Sequence, residues 1–163
     1  MNKRDISIIG VGNLLMSDEG FGCHLIKYLE ENYTFPDTVS LVDAGTAGIY
    51  MAPVLESCKY ALFIDVIKIE DQEPGQIISC TLEELTAKNI QTSMSPHQIG
   101  VLEVIEICKL RGSLPEKIEF LAVVPKKIEP GVKLSPELKK LVKPVAMKAL
   151  LKIKEKGVAI EIA

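Results

Sequence analysis

Four side chains of this sequence have types that can bind a metal ion or activate water. Asp43 and Asp65 end apolar runs, Glu19 follows a glycine-rich turn, and His97 follows a Ser-Pro step. Glu19, Asp65 and His97 form a set of two carboxylates and one imidazole without a thiolate. This set suits a borderline divalent ion, and three protein ligands leave positions open for water or substrate. No serine or cysteine lies in a recognisable nucleophile setting, which favours activated water over covalent catalysis.

Each acid also has a structural explanation, which the sequence alone leaves open. Glu19 would lie in the first turn of a helix, where the helix dipole favours an anion. Asp43 could cap the amides of the Gly-Thr-Ala-Gly turn that follows it. Asp65 directly follows the apolar run Tyr60 to Ile64, where an unpaired acid is costly to bury. We therefore expect Asp65 to meet a partner or to face a ligand cleft.

The two histidines differ in their surroundings. His97 follows Ser95-Pro96, which has the form of a helix start. A helix N-terminus disfavours the charged imidazole and keeps it available as a ligand or base, although a lone histidine there can also be a plain surface residue. His24 lies in the middle of a predicted helix among polar neighbours, and we expect it to be exposed to solvent.

The hydrophobic pattern predicts the elements that must position these residues. Short apolar runs bounded by turn residues or acids predict strands at residues 6–10, 39–42, 60–66, 76–81 and 118–124. Apolar residues at helical spacing predict a first helix capped by Ser17 or Asp18, and further helices at residues 49–57 and 95–111. A final helix should begin near residue 135 and be kinked or split by Pro144. The tail at residues 158–162 alternates like a strand.

Alternating strands and helices indicate an α/β fold. About ten residues separate the strand at 76–81 from the strand before it, which is too short for a parallel crossover, so these two strands should be antiparallel. The predicted fold is a three-layer sandwich, with a mostly parallel five-stranded twisted sheet, one antiparallel strand, and helices on both faces. Ligands of such sheets bind outside the carboxyl ends of the strands. Glu19, Asp43, Asp65 and His97 all fall at that edge.

Length and composition fit one globular domain spanning residues 1–163. The chain is 47% hydrophobic and 25% charged, which is enough for a core without disulfides or a structural metal. No uncharged apolar run approaches the ~18 residues of a membrane span, so no membrane insertion is expected. The apolar run from residue 6 to 16 lacks a signal-peptide cleavage site. The four cysteines form no Cys-x-x-Cys pair and are expected to be small buried residues of a cytoplasmic protein.

Charge and glycine patterns suggest two other classes of partner, and both are disfavoured. Residues 126–156 carry ten lysines and three glutamates. Such a run is usually a solvated helix face and can also dock an acidic partner, but it has no interleaved aromatics, so nucleic-acid binding is not expected.

The Gly10-x-Gly12 step resembles the start of a dinucleotide fingerprint. However, Leu15 replaces its third glycine, and Glu19 would oppose a pyrophosphate.

Five blocks of this sequence, taken together, closely resemble the [NiFe]-hydrogenase maturation endopeptidases. The first block, Gly10 to Gly22, is a specific signature of that family. The others individually are not specific, but they follow in the family's order over essentially the whole chain. They are Asp43 to Gly48, Phe63 to Val66, Ser95 to Gly100 and Ile128 to Pro136. Ala44, where the family often has glycine, and Pro96, at a variable position, are mild departures.

The resemblance implies an activity that residue spacing does not. Members of the family remove a C-terminal extension from the hydrogenase large-subunit precursor after nickel insertion, and they cut after a basic residue. The family's metal-contacting residues correspond to Glu19, Asp65 and His97, and its further acid corresponds to Asp43. The substrate would supply the nickel, and no organic cofactor is implied. A nickel-binding chaperone that inspects the precursor without cutting it would use the same ligands and is the alternative.

Overall fold

The computed structural model describes residues 4–87 and 96–163 of the chain. Its strands are β1 (Arg4–Val11), β2 (Tyr33–Thr34), β3 (Val39–Gly45), β4 (Cys58–Val66), β5 (Ile77–Thr81), β6 (Lys117–Val123) and β7 (Glu161–Ile162). Its α-helices are α1 (Phe21–Asn32), α2 (Ala52–Glu56), α3 (Leu82–Ala87), α4 (Pro96–Leu110), α5 (Pro136–Lys139) and α6 (Val142–Lys154). Short 3-10 helices at Ser17–Gly20 and Gly48–Met51 precede α1 and α2.

Five strands form one sheet in the order β3-β1-β4-β6-β5. The strands β3, β1, β4 and β6 are mutually parallel, and β5 pairs antiparallel with β6. The predicted fold class, a mostly parallel five-stranded sheet with one antiparallel strand, is therefore confirmed. The hydrogen-bonded neighbour of β5 is β6 rather than the preceding strand β4, because β6 occupies the place beside β4. The direction expected for β5 relative to β4 is nevertheless correct.

Helices cover both faces of the sheet, as predicted. The helices α1 and α6 pack on one face, against alternate residues such as Ile8 and Leu62. The helices α2 and α4 pack on the other face, against Ile9 and Phe63. Because both faces are covered, the central strands are apolar at nearly every position, which is the pattern that predicted them.

The C-terminal third departs from the prediction in detail. The final helical region is split between α5 and α6, and the break at residues 140–141 precedes Pro144. Pro144 is the third residue of α6, where its missing N–H breaks no helical hydrogen bond. The predicted tail strand exists only as β7, which pairs antiparallel with β2. Within the described residues, no helix combines the length and the apolar character that crossing a membrane requires.

Candidate active site

Asp43 and Asp65 flank the end of the central strand β1. Gly10 of β1 pairs with Asp43 of β3 on one side and with Ile64 of β4 on the other. Neighbouring strands lie about 4.8 Å apart, so the backbones of β3 and β4 are separated by roughly 10 Å at this edge. The sheet therefore holds both aspartates at its carboxyl-end edge, one on each side of β1.

The two aspartates differ in exposure and in hydrogen bonding. Asp43 is exposed, and its Oδ1 accepts a hydrogen bond from the Gly45 backbone N–H at 3.1 Å. This contact is the turn cap that the sequence allowed for Asp43. Asp65 is only 8% exposed, and its Oδ1 accepts a hydrogen bond from the Val66 backbone N–H at 2.7 Å. Asp65 also lines a small cavity of about 40 Å³ between the sheet and α3 and α4, whose other lining residues, such as Val101 and Phe120, are uncharged.

Glu19 lies in the 3-10 helix that packs against β4, and close backbone approaches fix its position. Gly12 has a φ of 145°, and a Cβ at Gly12 would lie 1.9 Å from the Glu19 carbonyl oxygen. A Cβ at Gly22 would lie 2.4 Å from the Ile64 carbonyl oxygen. Only glycine permits both approaches. They bring Glu19, which is 8% exposed, to the end of the strand that carries Asp65.

Asp18, the neighbour of Glu19, is fully buried and binds the segment after β6, residues 124–135, which we call the late loop. Its Oδ2 accepts hydrogen bonds from the backbone N–H groups of Lys126 at 2.9 Å and Lys127 at 3.0 Å. The Ser135 backbone N–H donates to Oδ1 at 2.6 Å, and the Ser135 hydroxyl lies 2.9 Å from Oδ2. Four donors thus surround one carboxylate and tie the late loop to the turn that carries Glu19.

Ser17 strengthens the same connection. Its backbone N–H donates to the Gly131 carbonyl at 2.7 Å, and its hydroxyl donates to the Glu129 carbonyl at 2.9 Å. The predicted role of Ser17 or Asp18 as a helix cap is therefore wrong, because both side chains bind residues more than a hundred positions away. Local spacing carries no signal for such a long-range contact. The only hint in the sequence was the joint presence of the first and last motif blocks.

Cys23 lies one helical turn after Glu19, close to the acidic edge. Its thiol donates a hydrogen bond to the Gly12 carbonyl, with a sulfur–oxygen distance of 3.7 Å. Burial, followed by contact with the Asp43 carboxylate, raises the pKa of the Cys23 thiol to about 12. The thiol therefore stays protonated at neutral pH and is a poor nucleophile. Cys58 and Cys108 are also buried, as predicted, whereas Cys80 is half-buried.

His97 is the second residue of α4, the helix that the Ser-Pro step predicted. One turn further along, a Cβ at Gly100 would lie 3.3 Å from the Gly48 Cα, so the start of α4 abuts the turn after β3. The His97 side chain and the whole of Ser95 lie outside the described residues. Its place beside Glu19 and Asp65 therefore stays a prediction. Among the described residues, no three His, Cys, Asp or Glu side chains form a metal-binding group by themselves.

His24 is not exposed, contrary to the expectation from α1 alone. The residue is half-buried, and its Nε2 atom is shielded from solvent without a hydrogen-bond partner among the described residues. Burial is the main cause of the lowered His24 pKa, and the Lys27 charge adds to it. The late loop explains the difference, because the Val132 backbone comes close to this imidazole. A helix examined in isolation does not show such a cover.

Comparison with known proteins assigns this fold to a class of protease. The family model for hydrogenase maturation proteases matches residues 23–153 of the chain. The protein belongs to the hydrogenase maturation protease family.

Individual relatives and solved structures resemble this chain over half to nearly all of its length. The hydrogenase 2 maturation protease of Escherichia coli is 31% identical over 153 residues, which cover 94% of this chain and 93% of the relative. A putative hydrogenase maturation protease of Methanocaldococcus jannaschii is 44% identical over 87 residues, covering 52% of this chain and 55% of the relative. The solved structure of the hydrogenase maturating endopeptidase HybD from E. coli superposes with a TM-score of 0.90 at 30% identity and covers 97% of both chains. The fold and the peptidase class are therefore shared with these relatives.

Proposed function

We propose that this protein removes the C-terminal extension of a [NiFe]-hydrogenase large-subunit precursor after nickel has been inserted. Membership of the hydrogenase maturation protease family supports a peptidase that acts on a hydrogenase subunit precursor. The observation that supports the site assignment is that two acids, Glu19 and Asp65, each 8% exposed, lie on adjoining elements at the carboxyl-end edge. We place this reaction in the cytoplasm, where buried cysteines such as Cys23 and Cys108 stay reduced.

In this proposal, Glu19, Asp65 and His97 contact nickel that the precursor already holds. Two carboxylates and one imidazole contain no thiolate, so their own affinity for free nickel is modest. Cysteines of the precursor supply the remaining coordination. The contact then forms only when both proteins are present, and it fixes the scissile peptide beside the acids. The enzyme needs neither resident nickel nor an organic cofactor.

The attacking group in this proposal is water, with a carboxylate of the site accepting its proton. A covalent route through Cys23 is disfavoured, because burial beside Asp43 keeps that thiol protonated. Asp43 has a supporting role. Its carboxylate holds the Gly45 N–H and lies next to Cys23, so it fixes the β3 side of the edge where the substrate must enter.

Mass spectrometry of the precursor separates cleavage from binding alone. Purified enzyme is incubated with the nickel-loaded precursor, and the intact mass of the precursor is followed with time. A protease shortens the precursor at its C-terminus, and the released extension gives the cut position. A chaperone forms a complex with the precursor and leaves its mass unchanged. Stable complex formation without any mass loss would replace the protease proposal by the chaperone.

A further inference from the structure

Exposed apolar side chains are concentrated around the acidic edge. In the described parts of the chain, eleven large apolar side chains are exposed, and seven of them lie on four segments at the carboxyl-end edge. We call these seven residues the apolar collar. They are Leu14 and Leu15 after β1, Ile49 and Tyr50 after β3, Ile99 at the start of α4, and Ile128 and Val132 in the late loop.

Backbone contacts connect the four segments to one another. The Gly12 N–H donates to the Gly45 carbonyl at 2.9 Å, which links the turns after β1 and β3. The Gly131 N–H donates to the Leu15 carbonyl at 2.9 Å, which links the turn after β1 to the late loop. The approach of Gly100 to Gly48 links the start of α4 to the turn after β3. The collar therefore lies on connected segments at the same edge of the sheet as Glu19, Asp43 and Asp65.

The fold holds these side chains outward. Leu15 is 66% exposed, Tyr50 is 83% exposed and Val132 is 61% exposed. Hydrogen bonds on both sides of Leu15, from the Leu15 N–H to Asn13 Oδ1 at 3.0 Å and from Gly131 to the Leu15 carbonyl, fix its backbone. These contacts fix the direction of the Leu15 Cα–Cβ bond at the surface. A concentration of exposed apolar side chains on connected segments is typical of an interaction surface.

We propose that the apolar collar is the docking surface for the folded hydrogenase subunit precursor. This inference rests on the proposed function. Charge favours this partner, because the acids Glu19, Asp43 and Asp65 lie at the same edge as the collar, where the proposed function places the nickel of the precursor. Protein interfaces use about 20–30 residues a side, with an apolar core. Apolar residues from four chain segments fit a folded surface better than one extended peptide.

Binding and cleavage are measured separately with the double variant Leu15→Ser and Val132→Ser. The matched control is Leu110→Ser, because Leu110 is 86% exposed at the far end of α4. We expect the dissociation constant of the nickel-loaded precursor, measured by calorimetry, to rise at least tenfold for the double variant and to stay within twofold for the control. Equal thermal midpoints of all three proteins verify that each is folded.

A short peptide that contains only the cleavage site and the extension supplies the second arm. We expect this peptide to bind the wild type at least tenfold more weakly than the whole precursor does. Its affinity for the double variant should be no lower than its affinity for the wild type. Wild-type affinity of the double variant for the precursor, or no binding of the precursor by the wild type, would overturn the collar. Equal affinity of the wild type for peptide and precursor would overturn the folded-surface claim. Binding that depends on the collar without any cleavage would reject the proposed protease function and leave the collar standing.

Discussion

Two acids that are buried to the same degree, Glu119 and Glu19, lie at opposite ends of the sheet. Each is 8% exposed. Glu119, near the amino end of β6, accepts a hydrogen bond from the Tyr60 hydroxyl and lies 2.8 Å from Lys117 Nζ and 3.3 Å from Lys152 Nζ. Burial alone would raise its pKa, but hydrogen bonds from Lys117 and Tyr60 and the charge of Lys152 outweigh burial and lower the pKa to about 2. Glu119 is therefore the centre of a structural ion cluster with Lys117 and Lys152.

Glu19 has a different environment at the carboxyl ends, where parallel sheets bind ligands. Asp65 and the residues of the apolar collar lie at the same edge of the sheet. Both Glu119 and Asp65 interrupt apolar strands, so an acid in an apolar strand does not by itself indicate function. The position of the acid relative to the strand ends separates the two cases.

The largest expected effect belongs to Glu19→Gln, which removes the charge and keeps the shape. We expect cleavage of the nickel-loaded precursor to slow by about 10³-fold or more, with the free energy of unfolding changed by less than about 1 kcal/mol. Asp65→Asn and His97→Gln should behave alike. The control is Glu31→Gln, which changes an exposed acid at the end of α1. This variant should cleave the precursor at the wild-type rate. Near-normal processing by any two of the three site variants would reject the metal contacts.

The next largest effect is on stability, through Asp18→Asn. The amide has one acceptor oxygen for the donors that now share two carboxylate oxygens, and its NH₂ group faces another donor. We expect the free energy of unfolding to fall by about 3 kcal/mol, because charge-assisted hydrogen bonds to a buried group are lost. Urea denaturation measures this loss, and Asp37→Asn, at an exposed acid, is the control. A loss below about 1 kcal/mol would show that the late loop is held by other contacts.

Glu119→Gln should reverse the pattern seen for Glu19. The folded-state pKa of Glu119 is lowered from 4.5 to about 2, so its ionised form stabilises the protein above pH ~4.5. This contribution is lost as the pH falls from about 4.5 to about 2. We expect the variant to be less stable by about 2 kcal/mol at pH 7, equal to the wild type near pH 2, and normal in cleavage. If the variant lost more cleavage activity than its lower stability explains, Glu119 would not be purely structural, and the distinction between the two acids would be wrong.

The smallest effect is expected from alkylation of cysteines. Because burial and Asp43 raise the pKa of Cys23 to about 12, its reactive thiolate is almost absent at pH 7.5. Iodoacetamide should therefore leave cleavage within about twofold of the untreated rate. Counting thiols in the denatured protein afterwards shows how many were protected. Stoichiometric inactivation accompanied by modification of Cys23 would restore a nucleophilic mechanism.

The central sheet was predictable from the sequence because its signal is local. Each buried strand is a short apolar run, and Asp43 and Asp65 lie near the ends of two of them. The Ser-Pro step likewise gave the start of α4. The pairing of β5 with β6 was not predictable in this way, since strand order depends on contacts between distant segments.

The surroundings of the candidate site were not predictable from the sequence for the same reason. Asp18 reads locally as a helix cap, yet it binds Ser135, 117 positions away. His24 reads as an exposed helix residue, yet the late loop shields it. Side-chain periodicity describes one element at a time and carries no information about a loop that packs over it.

The most direct test of the account compares precursor purified with nickel and without it. In the proposed function, the side chains of Glu19, Asp65 and His97 bind nickel that the substrate carries. A ~10³-fold preference for the nickel-loaded precursor would require about 4 kcal/mol from these contacts. The enzyme is incubated with both forms, and C-terminal cleavage is followed by mass spectrometry. We predict rapid cleavage of the nickel-loaded precursor and at least 10³-fold slower cleavage of the nickel-free form. Equal cleavage of both forms would show that the three residues act as a plain acid–base site and would contradict nickel recognition.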